Sequence, residues 1–198
     1  SIRFPEGNST FEAVKGISFS IGKGEIVGVV GESGSGKSMS ALALMGLLPK
    51  DAEIASGSLC FQGEDLVTMK PEKRRQLCGS KMAMVFQEPM TSLNPVLRIG
   101  EQVDEVIALH NPDMTKDDVK TRTIQMLEMV GIANKEGVYR MYPHELSGGM
   151  RQRIMIAMAL ACNPRLIIAD EPTTALDVTI QAPVSYTHLR AHETRRHL

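Results

Sequence analysis

The chain has 198 residues, with 22 lysines and arginines against 23 aspartates and glutamates, and a formal net charge of -1. This length allows one domain with a substantial core, and the near-neutral charge gives no reason to expect nucleic acid as a partner. Three cysteines without a C-x-x-C pair argue against a disulfide framework or a zinc site. The longest apolar run, Ile154 to Cys162, is too short to span a membrane, so a role there would require other subunits.

The first part of the chain predicts two strands and a helix. Residues 17 to 21 alternate apolar and polar side chains, which is typical of a half-buried strand. Residues 25 to 30 are mostly apolar and predict a strand of the kind buried in a parallel sheet. A helix is expected from Lys37 to Leu48, because Pro49 stops it.

The middle of the chain predicts a change from strands to helices. Two short strands are expected at Gly57 to Gly63 and Met82 to Gln87. Apolar residues then recur at helical spacing in Gly100 to His110 and Thr115 to Gly131. The second of these helices opens with a Thr-x-x-Asp pattern that resembles a capping box. We interpret this part as a helical insert between two halves of an α/β core.

Residues 31 to 38 match the phosphate-binding loop G-x-x-x-x-G-K-[ST]. Small residues allow backbone N–H groups to approach phosphate oxygens, and the following helix presents its positive end. Lys37 is expected to reach the β- and γ-phosphates, and the Ser38 hydroxyl to hold Mg²⁺. The strand–loop–helix order disfavours the alternative of a chance glycine-rich turn. The residues expected to contact the nucleotide here are Gly31, Glu32, Ser33, Gly34, Ser35, Gly36, Lys37 and Ser38.

A buried strand, Leu166 to Ala169, is expected to end in two carboxylates, Asp170 and Glu171. An acid at the carboxyl end of a parallel strand lies at the crevice where α/β proteins bind ligands. Asp170 is expected to hold the metal, and Glu171 to polarise the attacking water. An ordinary strand end has the same pattern, so this prediction depends on the other motifs.

The string Leu146-Ser147-Gly148-Gly149 is followed by a helix expected to end before Pro164. Its position between a phosphate loop and an acidic strand end resembles the signature of ATP-binding cassette (ABC) ATPases. The resemblance covers residues 2 to 182. It implies an α/β, P-loop NTPase (RecA-like) ABC ATPase core with an N-terminal antiparallel β-lobe and a helical lobe near residues 88–145. It also implies that Ser147, Gly148 and Gly149 close on a γ-phosphate held by a partner subunit.

The same resemblance gives roles to isolated residues. Gln87 resembles the Q-loop glutamine, which senses the metal and the γ-phosphate and faces the membrane subunits. Asp177 resembles the D-loop residue at the dimer interface. Phe4 resembles the aromatic residue that stacks on adenine, with Phe11 as the alternative; a lone phenylalanine in the core is the ordinary explanation. For Arg151 and Arg153, contacts and a solvated face both stay open, and no site role is expected.

Longer strings resemble the ATPases of dipeptide, oligopeptide and nickel importers: residues 41–49, 85–95, 146–153 and 170–178. This resemblance implies an ATPase subunit that uses ATP and Mg²⁺ at the cytoplasmic face of the cell membrane. Its implied partners are a second cassette, identical or paralogous, transmembrane permease subunits and, indirectly, a solute-binding protein. Two alternatives stay open: a soluble non-transport ABC ATPase, which would lack the segment 88–95, and a nucleotide-binding fragment without turnover.

The resemblance ends after Ala182. The run Val184 to Thr194 matches one translation of a transposon-end sequencing adapter, so residues 183–198 are expected to be a non-native tail; the alternative is a natural divergent one. His188 lies too near Glu171 in sequence to be the family's switch histidine. Residues 1–182 are therefore expected to form an incomplete nucleotide-binding domain, poorly stable and nearly inactive in this form.

Overall fold

The computed structural model describes residues 1–7, 9–87 and 92–171. The chain divides into two compact units, Ser1–Met82 and Ala83–Leu198. The expectations for Asp177 and for the tail fall outside the described residues.

A small antiparallel sheet organises the first unit. Strand β1 (Ile2–Glu6) pairs with β2 (Ser9–Val14), and its register places Phe4 opposite Phe11. Strand β3 (Glu53–Ile54) pairs antiparallel with β1 as well, so the order is β2-β1-β3. The N-terminal antiparallel lobe predicted from the resemblance is confirmed.

Helix α1 (Lys37–Met45) begins where the phosphate loop ends. It ends three residues earlier than predicted because Gly46 adopts a left-handed backbone (φ 71°), which terminates the helix before the proline does. Ala43 of this helix packs in a core with Ile2 and Val14. The remaining elements of the unit are β4 (Cys60–Phe61), β5 (Glu64–Asp65) and α2 (Pro71–Leu77).

The strands predicted at residues 17–21 and 25–30 are not formed, and these two predictions are wrong. The side chains of Ile17, Phe19 and Ile21 are exposed, and Val30 is 97% exposed. An apolar pattern makes a strand only where a neighbouring strand pairs with its backbone and covers its side chains. In the described part of the chain no strand pairs with either segment.

Strand β6 (Met82–Val85), which belongs to the second unit from Ala83 onward, forms a two-stranded sheet with β7 (Leu166–Ala169). All four residues of β6 are buried. The prediction of a buried strand is wrong for β7, because its residues alternate between half-buried and exposed. Within the described residues β7 pairs only with β6, and one of its faces stays open to solvent.

Helices dominate the rest of the second unit within the described residues, and the predicted helices at 100–110, 115–131 and 148–163 are confirmed within three residues at each end. Their apolar faces share one core that includes Ile99, Leu127 and Ile154, each fully buried. The helical elements are α3 (Ile99–His110), α4 (Lys116–Met129), α5 (Lys135–Arg140), a 3₁₀ turn (Pro143–Glu145) and α6 (Gly148–Leu160).

Side-chain hydrogen bonds cap the N-terminus of α4 and link α3, α4 and α5. The Thr115 hydroxyl accepts the Asp118 amide at 3.2 Å, and the Asp118 carboxylate accepts the Thr115 amide at 3.3 Å, so the predicted capping box is confirmed. The Asp104 carboxylate on α3 accepts the hydroxyl of Thr123 on α4 and that of Tyr139 on α5, both at 2.5 Å. Thr123 is fully buried, so its hydroxyl depends on this bond.

Candidate nucleotide-binding site

The phosphate loop lies directly before α1, as the motif predicts. Residues 31–35 are exposed, and Gly34 and Gly36 adopt left-handed backbone angles (φ 80° and 89°). A Cβ on Gly36 would lie 2.8 Å from the Ala13 carbonyl oxygen, so only glycine fits where the loop passes over β2. A Cβ on Gly34 would meet nothing within 4 Å, so the outer face of the loop is open.

Lys37 folds its side chain back over the loop. Its Nζ donates to the carbonyl oxygens of Gly31 at 2.7 Å and Glu32 at 2.9 Å. Ser38, next in α1, is half-buried. An exposed glycine-rich loop, an ammonium group and a helix N-terminus are what a bound phosphate requires, so the residues present fit a nucleoside polyphosphate.

In the second unit the structure brings Gln87 and Glu171 into contact. The Gln87 amide Nε2 donates to the Glu171 carboxylate at 2.7 Å, and both side chains are exposed. The Asp170 amide donates to the Val85 carbonyl at 3.0 Å, which fixes the end of β7 against β6. Glu171 has a left-handed backbone (φ 46°), which is uncommon for a residue with a side chain and recurs at functional sites.

The oxygen atoms of Ser38, Gln87 and Asp170 are of the hard type that Mg²⁺ prefers, so the donor chemistry fits this metal. Ser38 belongs to the first unit, whereas Gln87 and Asp170 belong to the second.

The signature residues begin α6. Ser147 is its N-cap, and the Ser147 hydroxyl accepts the Met150 amide at 3.3 Å. A Cβ on Gly148 would meet nothing within 4 Å, so the space beside this residue is open. The Leu146 carbonyl accepts two hydrogen bonds from the Arg151 guanidinium, from Nε at 3.0 Å and from Nη2 at 2.8 Å.

Sequence reasoning gave no role to Arg151, which in the structure holds the residue ahead of the serine cap. The only signal was its position in the first turn of a predicted helix. A cation is usually unfavourable at that end of a helix, which makes an arginine there notable.

The two candidate aromatic residues differ in exposure. Phe4 is half-buried in β1, and Phe11, opposite it in β2, is 55% exposed. A ring that stacks on a base must offer a free face, so exposure favours the alternative, Phe11.

The described fold is that of an ATP-binding cassette. A solved structure of the cassette MJ0796, a dimeric post-hydrolysis state bound to ADP and Pi, aligns with 96% of this chain and 82% of that chain. The alignment has a TM-score of 0.82 and 26% sequence identity. The family model for ABC transporters matches residues 14–174, and the chain belongs to that family.

Curated relatives name a transport role. The dipeptide transport ATP-binding protein DppD of Haemophilus influenzae is 51% identical over 184 residues, which cover 93% of this chain and 56% of that protein. DppD of Escherichia coli K12 is 50% identical over 184 residues, which again cover 93% of this chain and 56% of that protein. The oligopeptide transport ATP-binding protein AppD of Bacillus subtilis is 53% identical over 173 residues, 87% of this chain and 52% of its own length. The chain spans about half the length of the curated relatives it matches.

Among the helices in the described ranges, none combines the length and apolar character needed to cross a membrane.

Proposed function

We propose that the chain is the ATP-binding and ATP-hydrolysing part of an importer that carries peptides across the cytoplasmic membrane. Residues 1–182 would be its nucleotide-binding domain, with a helical lobe near residues 88–145. The observation that carries this proposal is the phosphate loop of residues 31–38 at the N-terminus of α1, exposed over residues 31–35. The names of the relatives support peptides as the solute over nickel.

ATP would bind through its phosphates to the loop. The loop N–H groups and the N-terminus of α1 supply positive partial charge, and Lys37, already folded over Gly31 and Glu32, would pair with the β- and γ-phosphates. Adenine would stack on an aromatic side chain of the β1–β2 hairpin, for which Phe4 was predicted and Phe11 is the more exposed choice.

Ser38, Gln87 and Asp170 are the residues proposed to hold Mg²⁺. When bound, the ion supplies positive charge that neutralises the phosphate oxygens. Asp170 is suited to this role because its backbone is fixed by the hydrogen bond to Val85, which leaves its side chain at a defined strand end.

Hydrolysis would depend on Glu171 and Gln87. Glu171 would accept a proton from a water molecule as the water oxygen bonds to the γ-phosphorus, while the bond from the γ-phosphorus to the bridging oxygen breaks to give ADP and phosphate. The 2.7 Å hydrogen bond from Gln87 orients this carboxylate. Phosphoryl transfer needs positioning and charge stabilisation more than covalent chemistry, and these residues would supply both.

A second cassette, identical or paralogous, is the proposed partner of this site. Ser147, Gly148 and Gly149 would close on the γ-phosphate held by that partner, because the start of α6 offers open space and a serine-capped helix end. Asp177 would lie at the interface. The dimeric state of the MJ0796 cassette supports this arrangement.

The membrane partners are proposed from the transport names of the relatives. Permease subunits would hold the cassettes at the cytoplasmic face, and a solute-binding protein would deliver the peptide from the other side. Closure of two cassettes around ATP would drive the permease, and hydrolysis would reset it.

A second candidate is a chain that binds nucleotide without turnover. The observation that favours it is that residues 25–30, directly before the phosphate loop, form no strand. A loop whose preceding segment is unpaired can still bind phosphate through α1, but it is less well fixed for catalysis.

The first test is nucleotide binding by the purified chain. Lys37→Ala should weaken the binding of a fluorescent ATP analogue about tenfold or more, because a charge-assisted contact is lost. Lys23→Ala, in an exposed turn before the loop, is the matched control and should bind like the unmodified chain. Equal affinity of all three proteins, or no binding at all, would contradict the proposal.

Hydrolysis and transport need separate tests. ATP turnover by the chain that Glu171→Gln abolishes supports the hydrolytic proposal, whereas nucleotide binding with no turnover supports the second candidate. For the solute, residues 1–182 would replace the corresponding half of Escherichia coli DppD, and dipeptide uptake would be measured. A chimera that is expressed and binds ATP but imports no dipeptide would contradict the peptide proposal.

A further inference from the structure

The carboxyl end of α1 is held by side chains that come from the segment containing α2. The Arg74 guanidinium donates through Nη2 to the carbonyl of Ala43, and to that of Leu44 at 3.1 Å. The Cys78 thiol donates to the carbonyl of Met45 at 3.3 Å. The last carbonyls of a helix lack partners within the helix, and here the Gly46 amide, at 3.2 Å from the Ala43 carbonyl, and these side chains supply partners for them.

The packing around Arg74 leaves little freedom. A Cβ on Gly46 would lie 2.8 Å from the Arg74 Nε and 3.1 Å from its Cδ and Cζ, so this end of the Arg74 side chain packs closely against the glycine. The Nε atom is buried and makes no hydrogen bond to the described residues, whereas Nη2 donates to both carbonyls. A cation at the carboxyl end of a helix also interacts favourably with the helix dipole.

The opposite end of α1 is fixed as well. Gly36, its N-cap, packs on the Ala13 carbonyl and on Val14 of β2 with no room for a Cβ. Between its two ends α1 has only nine residues, so the contacts of Arg74 and the end of the phosphate loop lie on the same short helix. Arg74 is therefore linked to the loop through one short helix.

We propose that Arg74 is a positioning residue for the phosphate loop: by holding the carboxyl end of α1, it keeps the loop amides and Lys37 in the arrangement that binds phosphate. This inference rests on the proposed nucleotide-binding function. The ligand is a nucleoside di- or triphosphate, and Arg74 acts on it through α1 without touching it.

The test compares three variants in the binding of ADP and ATP by the purified chain, by fluorescence titration at a temperature where circular dichroism shows each to be folded. Arg74→Ala should raise the Kd at least about fivefold, the lower end of usual coupling between sites. Arg74→Lys keeps the positive charge but loses the guanidinium that contacts both carbonyls, so its Kd should lie between those of Arg74→Ala and the unmodified chain. Arg75→Ala, an exposed neighbour on α2, is the control and should leave the Kd unchanged.

A second readout separates positioning from simple stabilisation. If the loop and Arg74 are coupled, ADP must also steady the Arg74 contact, because coupling is reciprocal. Saturating ADP should then slow hydrogen exchange at the amides of Arg74 and Cys78 in the unmodified chain, and less so in Arg74→Lys.

The outcomes are distinct. A folded Arg74→Ala with an unchanged Kd, or exchange at α2 that ADP does not alter, overturns the positioning role while leaving the nucleotide function intact. If Arg74→Ala does not fold, the Kd of Arg74→Lys decides: a raised value supports the role and an unchanged value overturns it. An unmodified chain that binds neither ADP nor ATP overturns this inference together with the proposed function.

Discussion

Tyr139→Phe removes one of the two hydrogen bonds that hold the Asp104 carboxylate among α3, α4 and α5. The bond from the Tyr139 hydroxyl to this carboxylate is 2.5 Å long. Hydrogen bonds to charged groups stabilise proteins by about 1.5–3 kcal/mol. Tyr139 is half-buried, so water can replace part of the lost hydrogen bond, and the Thr123 hydroxyl still donates to the Asp104 carboxylate. We therefore expect a loss of about 1–2 kcal/mol in the free energy of unfolding.

The pKa of Tyr139 gives this prediction a second, independent signature. Burial, followed by the hydrogen bond to Asp104 and the nearby negative charges, raises the pKa of Tyr139 from 10 to about 12. Between these values the unfolded chain loses the phenolic proton while the folded chain keeps it. The stabilisation is thus fully present below pH 10 and is lost as the pH rises toward about 12. The advantage of the unmodified chain over Tyr139→Phe should shrink across that window.

The assay is urea unfolding followed by far-ultraviolet circular dichroism, which reports mainly on the second unit because α3, α4 and α6 are the longest described helices. Glu105→Gln changes the exposed carboxylate next to Asp104 on α3 and is the matched control. Its effect should stay within about 0.5 kcal/mol. An equally small effect of Tyr139→Phe, or a difference that does not shrink above pH 10, would refute the reasoning.

Three further substitutions test packing and capping in the same unit. Gly100→Ala would place a Cβ 2.5 Å from the ring of Tyr139. The clash should cost about 1–3 kcal/mol of the free energy of unfolding, more than the roughly 1 kcal/mol gained in helix propensity. An unchanged denaturation midpoint would contradict this expectation. Thr115→Ala removes the N-cap of α4 and should cost about 1 kcal/mol, with faster hydrogen exchange in the first turn as the measurement. Gln102→Leu removes the buried side-chain amide that forms hydrogen bonds with the backbone of residues 94 and 97. Limited proteolysis should then cleave residues 94–98 faster than in the unmodified chain. An unchanged cleavage rate would show that Gln102 does not hold this segment.

The helices could be predicted because their signals are local. The Thr115 capping box and the Ser147 cap each involve residues within one turn, so the sequence pattern contains the whole interaction. The signal that ends α1 at Gly46 is local as well. The prediction placed the end at Pro49, although the glycine three residues before it already terminates the helix.

The strands were predicted less well because pairing is not local. Residues 25–30 have the composition of a buried strand, yet a strand needs a partner whose position no local pattern states. The pair Met82–Val85 and Leu166–Ala169 shows the converse, since their pairing joins segments about eighty residues apart.

The candidate site shows the same division. The motifs named Lys37, Gln87 and Glu171, because residue type and order carry that information. The contact between Gln87 and Glu171, 84 positions apart, and the hold of Arg74 on the end of α1 required the folded chain.

The bare apolar run ahead of the phosphate loop has a consequence for the behaviour of the chain in solution. Ile26, Val29 and Val30 are each more than half exposed, and surface of this kind attracts other copies of itself. Light scattering should detect monomers in dilute samples and clusters in concentrated ones. The second virial coefficient should be negative, which is the sign of attraction between molecules. Because hydrophobic attraction weakens on cooling, the clusters should dissolve in the cold and return on warming.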